Sequence, residues 1–388
     1  MRERRLDFAA YLFGLVLGLG VLAASGYLDG SPDAIHQGDF AKFWAGPRAL
    51  LLGGDPFDAR TWHDVAVGLG ASAVNWPDYG YFGWTILLLL PFALLPLPIA
   101  FAAWTIGGLT LAATATWALL RTWLPGAPLA HTLVALTLVA SQPARLTLLL
   151  GQWGFLLGAA LALSILWVRS GRPTAAGLVT IVALGKPHLF LLAAPAVGLW
   201  AWRRGQRRAV LTALAAGAVL AAVSIVVLPQ WPAAWLRDIP SHALFAEPRT
   251  TTLASVLFGL AGPAGTWMAA AIIVACVGVA LRFDPRGDGW LAVWLPLSLI
   301  VAPYTWSYDH SLLVVPLVIG AGVAARRSPR VGNGVIVAGA FVLLVVSTLL
   351  AGVAAIRDLE SYSAVVPLLL FGVLATATWP SRRERSRQ

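Results

Sequence analysis

The sequence predicts an all-α membrane protein with many crossings. Three observations carry that prediction: composition, the length of the apolar runs, and the places where charge is allowed. Of 388 residues, 59% are hydrophobic and only 11% charged, with mean hydropathy +0.79. A soluble chain of this size needs far more charge to cover its surface. Runs such as Phe8 to Leu28 and Val331 to Ile356 reach the roughly 20 apolar residues that a spanning helix requires. The net charge of +10 is concentrated between runs, at Arg169/Arg172, Arg203 to Arg208, Arg282/Arg286, Arg326 to Arg330 and Arg382 to Arg387. Clusters of that kind mark cytoplasmic loops rather than a groove for nucleic acid.

Taken in order, the runs place membrane segments near 7–28, 82–97, 98–121, 128–148, 152–168, 174–185, 187–202, 208–229, 264–282, 289–303, 311–325, 331–356 and 361–379. The first follows Arg2, Arg4 and Arg5 and has the look of a signal peptide ending near Ala23–Ser25. The many runs behind it favour a retained span. An odd number of crossings would separate the two basic termini, so about twelve are expected. The short or re-entrant piece is expected in 82–121, which Pro91, Pro96 and Pro98 interrupt. The pair 174–185 and 187–202 is short as well. It can cross only if the turn Gly185–Lys186–Pro187–His188 sits below the outer surface, in a cavity. The expected outer loops are then 29–81, 149–151, 186–188, 230–252, 304–310 and 357–360, with 380–388 a basic cytoplasmic tail on a single domain spanning 1–388.

Acidic residues run the other way from basic ones. Seven of the 17 lie between Asp29 and Asp78, in the first outer loop. Within it, "GDFAKFWAGPRALLLGGDPFD" (38–58) sets Phe40, Phe43, Trp44, Pro47 and Leu51 at helical spacing, with Lys42 and Arg48 off the stripe. That pattern predicts an amphipathic helix lying in the membrane interface, aromatic side down, with Asp39 at its N-cap and Gly53–Gly54 at its end. Asp39 has two compatible readings. It caps the helix, or it is a general base that takes a proton from an acceptor hydroxyl.

Four further stretches carry polar groups on the same side. Lys186, one of only two lysines against 25 arginines, stands between two apolar half-spans. Such a residue either snorkels to the interface or pairs with a lipid-linked phosphate. His188 follows it. "PYTWSYDHS" (303–311) puts Tyr304, Asp309 and His310 at an outer turn, read either as an aromatic belt with a solvated turn or as part of a site. "LLLGQWGF" (148–155), with Arg145 one turn earlier, adds Gln152, placed either to cap a helix end or to hold a sugar hydroxyl or phosphate. The convergence of these groups on one side is the functional signal. One cysteine, Cys276, excludes an intrachain disulfide and a Cys-rich metal site, and neither a metal nor a cofactor is expected. No Walker loop, GxSxG or HExxH is present, so nucleotide hydrolysis and soluble-type hydrolase chemistry are unsupported.

Five stretches, in order, resemble glycosyltransferase family 87, whose members are polyprenol-phosphate-mannose-dependent mannosyltransferases of the GT-C membrane superfamily. They are the first-loop segment quoted above, "YFGWTILLLLPFALLP", "GQWGFLLGAAL", "AAGLVTIVALGKPHLFLLAAP" and "VAPYTWSYDHSLLVVPL", covering roughly 30–325. At Trp76 to Tyr81 a single proline replaces the family's tandem prolines, which changes the wall expected for the acceptor site. The resemblance implies a GT-C type fold in the plasma membrane of a bacterial-type cell, with an extracytoplasmic site. It implies an inverting transfer from a polyprenyl-phosphate sugar donor, used as substrate, to a glycan or glycolipid acceptor. Asp39 takes the position of the family's base. Lys186, Arg145 and His310 are the candidates for the donor phosphate, and Gln152, Asp309, His188 and Tyr304 for the substrate. The rival reading is a transporter or flippase of a lipid-linked or polar solute. The acidic outer loop and the absence of paired inverted halves weigh against it.

Overall fold

The computed structural model describes residues 2–25, 38–68, 79–238, 250–357 and 360–380, and among these the chain is helical with no strand. The other residues take in parts of the expected loops 29–81 (Trp76 to Asp78 among them), 230–252 and 357–360, and nearly all of the tail 380–388. Those expectations lie outside the described residues.

Among the described residues, seven helices are long and apolar enough to cross a membrane: Glu3–Ala24, Leu97–Trp123, Arg207–Val227, Pro263–Ala280, Ser307–Ala325, Pro329–Ile356 and Glu360–Thr378. An eighth span forms if Pro128–Ala140 and Gln142–Leu150, bent by 43°, are taken together. The bend falls at Ser141, whose hydroxyl accepts from the Ala144 N–H, and Pro143 is tolerated in the next first turn because an N–H there has no intrahelical partner. Four shorter helices, Gly83–Ala93, Gly154–Arg169, Pro173–Gly185 and Asp288–Val301, are apolar as well. The expected count of about twelve is therefore not reached by full-length helices. At about 1.5 Å per residue, the 11 residues of Gly83–Ala93 rise well short of a bilayer core of about 30 Å. That helix stays beside the first-loop helix instead: Trp44 Nε1 donates to Leu95 O (2.9 Å) and Arg48 Nη1 to Ala93 O (3.2 Å).

Direction along the chain is fixed at one end by a single carboxylate. Arg169 Nη1 (2.7 Å), Arg204 Nη2 (3.1 Å) and Arg326 Nη2 (2.8 Å) all donate to Asp288, and Trp123 Nε1 joins them at 3.3 Å. The three arginines come from three separate basic loops, so the ends of the helices that carry them lie on one face. The chain returns to that face between each pair. Gly154–Arg169 starts beside Gln152 and ends at the cluster, and Asp288–Val301 starts at the cluster and ends before Thr305. The segment 173–203 does the same as a hairpin, with Arg172 and Arg204 at its feet and Lys186 at its tip. Asp7 fastens the first helix nearby, accepting from the Gly126 N–H at 2.8 Å.

Small residues let the helices close up. On the first helix, a Cβ at Gly14 would stand 2.3 Å from Thr132 O, so Glu3–Ala24 packs backbone to backbone on Pro128–Ala140. Apolar side chains on Arg207–Val227, such as Leu214, Val219 and Val226, face outward, as lipid contact requires.

Candidate active site

The site is built on the first-loop helix, Asp39–Leu51. Its aromatic face is buried against protein rather than resting on lipid, which corrects the interfacial reading. Phe40 lies 5.7 Å from the Phe101 ring and 5.6 Å from Trp104, while Phe43 lies 5.1 Å from Tyr81 and 6.0 Å from Trp153. The N-cap reading of Asp39 is corrected too. Gly38, in extended conformation, is the N-cap, and no side chain caps the helix. Asp39 stands one residue later, in the first turn, where the helix dipole favours its charge. Its carboxylate accepts from Gln152 Nε2 and from Lys42 Nζ, the latter at 3.4 Å. Gly53, at φ +81°, ends the helix as expected of a left-handed C-terminal residue.

Gln152 reaches Asp39 because Gly151 precedes it. Gly151 takes φ +64°, and a Cβ there would sit 2.5 Å from Phe40 Cβ. Only glycine lets this turn lie flat on the helix that carries Asp39. Gly185 plays a related part in the second turn, where a Cβ would press within 2.6 Å of the Trp153 ring.

Lys186 is buried and does not snorkel. Its Nζ donates to Asp309 Oδ1 at 2.9 Å and lies 4.4 Å from the centre of the Tyr308 ring. The other carboxylate oxygen, Oδ2, accepts from the Trp306 N–H at 3.0 Å. A charge pair this deep holds only with such additional bonds. The stretch 307–313 is thus a buried 3₁₀ turn, which sets aside the solvated-turn reading of it. His188 stacks on Tyr304, with ring centroids 3.9 Å apart and planes at 24°. Burial pushes the Tyr304 and Tyr81 phenols up.

These groups surround a cavity of about 700 Å³. Asp39, Lys186, His188 and Tyr304 line it, as do five residues that sequence reasoning did not single out for the site: Lys42, Tyr81, Trp235, Trp306 and Glu360. Gln152 and Asp309 stand behind the wall, holding Asp39 and Lys186 respectively. Two expectations fail. Arg145 is not part of the lining and directs Nη2 to Thr348 Oγ1 (3.3 Å) on the span Pro329–Ile356. His310 is fully buried away from the cavity, and neither ring nitrogen makes a hydrogen bond. In a 3₁₀ turn neighbours project about 120° apart, so a helix that aims Asp309 at Lys186 turns His310 elsewhere.

A sequence model of glycosyltransferase family 87 matches residues 84–308, more than half of the chain. The chain belongs to glycosyltransferase family 87. No curated protein matches it, and no solved structure does. The family 87 match takes in Gln152, Lys186, His188 and Tyr304, but it begins beyond Asp39 and stops one residue before Asp309. The case for Asp39 therefore rests on its geometry. As a family 87 protein with this set of apolar helices, the chain is an integral membrane glycosyltransferase.

Proposed function

We propose that this glycosyltransferase moves a mannosyl group from a polyprenyl-phosphate donor to a glycan or glycolipid acceptor, with inversion, on the extracytoplasmic face of a bacterial-type plasma membrane. One observation carries the donor class. The cavity that holds Asp39 and Lys186 shares Pro187 and Leu191 with an apolar groove of about 1080 Å³, which runs between the helices of 154–221 toward the arginine face. A chamber that holds a carboxylate and an ammonium and borders an apolar groove suits a substrate with a sugar phosphate at one end and a long hydrocarbon at the other.

In this reading Asp39 accepts the proton of the acceptor hydroxyl as its oxygen bonds to the anomeric carbon. The bond from that carbon to the phosphate oxygen breaks on the opposite side, and its electron pair leaves with the polyprenyl phosphate. Lys186 stabilises the growing charge on that phosphate with an N–H not given to Asp309. Lys42 and Gln152 fix the position of the base. The basic loops support a cytoplasmic placement of both termini, with the arginine face opposite the cavity.

The test is transfer from radiolabelled polyprenyl-phosphate-mannose by the purified protein, compared with Lys186→Ala. Loss of a charge-assisted contact to phosphate in a buried site costs about 2–3 kcal/mol, so the donor KM should rise roughly 30- to 150-fold. Because Lys186→Ala also strands the buried Asp309, the double variant Lys186→Ala/Asp309→Asn serves as the stable control and should keep the raised donor KM. Lys186→Arg should restore function only in part, its planar guanidinium being broader than an ammonium. Unchanged donor kinetics in both variants would remove Lys186 from the phosphate site. Movement of the lipid-linked sugar across proteoliposomes without any transfer would favour a flippase instead.

A further inference from the structure

Glu360 is a second carboxylate lining the cavity, 321 positions from Asp39 in the sequence and outside the family match. It begins the last span, Glu360–Thr378. Oε1 accepts from Ser307 Oγ at 2.9 Å, and that hydroxyl accepts in turn from Gln142 Nε2 at 3.1 Å. Gln142 and Ser307 are themselves buried, so the carboxylate is held in one orientation by a relay from two other segments of the chain. Oε2 is buried and makes no hydrogen bond.

An ionised carboxylate offers about four acceptor positions, and leaving an oxygen buried without a donor is unfavourable. A group with only a helix-starting role would turn its free oxygen to a backbone N–H of its own first turn. Glu360 instead leaves Oε2 buried without a donor, in a side chain that lines the cavity beside the aromatic rings Tyr304, Trp306, Tyr308 and Trp235. Aromatic faces that meet sugar C–H bonds, beside a fixed acceptor for sugar O–H groups, are the chemistry by which a hexose is recognised. A site built to hydrogen-bond a hydroxyl rejects the analogue that lacks it, because its own polar group is then left unpaired.

We infer that Glu360 is a specificity-determining residue that accepts hydrogen bonds from hydroxyls of a hexose in the cavity, positioned by Ser307 and Gln142. The inference rests on the cavity being a sugar-transfer site, and it predicts discrimination against deoxy sugars that Asp39 and Lys186 do not supply. The hexose is either the donor's or the terminal unit of the acceptor, and the two arms of the test separate them.

Full-length protein in detergent is compared with Glu360→Gln, which keeps the shape and the bond from Ser307 but replaces one acceptor oxygen by a donor, and with Ser307→Ala, which removes the support. With polyprenyl-phosphate-mannose and its monodeoxy analogues, the unaltered protein should prefer the full sugar by roughly 10- to 100-fold at one hydroxyl position. Glu360→Gln should lose most of that preference, and Ser307→Ala part of it, without a change in melting temperature that tracks the loss. A raised donor KM with an unaltered acceptor KM assigns the contact to the donor sugar, and the reverse assigns it to the acceptor. Saturation-transfer NMR with free D-mannose and its monodeoxy forms gives a readout independent of turnover. If no transfer occurs but Glu360→Gln weakens mannose binding selectively, the transfer reading fails and the Glu360 site stands. If Glu360→Gln leaves deoxy-sugar discrimination and mannose binding unchanged, Glu360 is a structural partner of Ser307 and the inference is overturned.

Discussion

Replacing Asp39 with asparagine should leave the protein folded and lower single-turnover sugar transfer by roughly two to four orders of magnitude. The substitution separates position from proton affinity. Asparagine keeps one oxygen, which can accept from Gln152 Nε2 in place of Oδ2, and gives up the longer contact that Oδ1 receives from Lys42 Nζ at 3.4 Å. It loses a negative charge in the first turn of a helix, which costs about 0.3–1 kcal/mol, far less than the expected kinetic effect. Donor KM should change little, because the proton transfer develops in the transition state and not in the bound ground state. Since no side chain caps this helix, the alternative role for Asp39 is electrostatic support of the helix start alone. In that case transfer by a well-folded Asp39→Asn protein would stay near normal, and the catalytic assignment would fall. A thermal melt beside the single-turnover assay decides between them.

The sequence made some of this site visible and hid the rest for physical reasons. Lys186 stood out because a cation between two apolar half-spans is costly, and the turn that carries it does line a cavity. Asp39 stood out because charge was dense in an otherwise apolar chain. Its exact register was missed by one residue, since Gly38 and Asp39 are both acceptable at an N-cap and only the backbone separates them. Partners far apart in sequence were beyond reach. The bond from Gln152 to Asp39 joins positions 113 apart, and Lys186 meets Asp309 across 123. Glu360 was passed over because an acid at the start of a span looks like a loop residue, and only tertiary structure brings Ser307 to it. Arg145 misled for the converse reason: a cation near an outer helix end has several polar neighbours to choose from, and Thr348 is one of them. The apolar runs were legible as helices, but their lengths conceal which are full crossings. Proline and glycine breaks turn several into half-length pieces whose partners decide their depth.

The largest expected effect on stability lies at the far face, at Asp288. Its side chain is 1% exposed and accepts from Arg169, Arg204 and Arg326, which are 29%, 31% and 57% exposed. Removing one partner of a buried ion pair costs about 3–5 kcal/mol, mainly because the remaining charge is left uncompensated. Here three like charges from three loops are left facing one another. Their partial exposure lets water reach the guanidiniums, so Asp288→Ala should fall near about 3 kcal/mol, the lower end of that range. Single arginine substitutions should cost less, in the order of burial. Arg169→Ala, which also lifts a guanidinium from the Trp123 ring at 4.7 Å, should exceed Arg326→Ala, whose exposed pair is worth about 0–1 kcal/mol. Asp288→Asn should be intermediate, because it keeps acceptors but no charge. The cluster stands at the opposite ends of the helices from the cavity, so the folded fraction of each variant should retain the donor KM of the unaltered protein. Melting in detergent checks the ranking, and donor kinetics at low temperature check the separation. A melt of Asp288→Ala that matches the unaltered protein would mean that the basic loops are held together by lipid headgroups and by packing, and that the carboxylate is incidental.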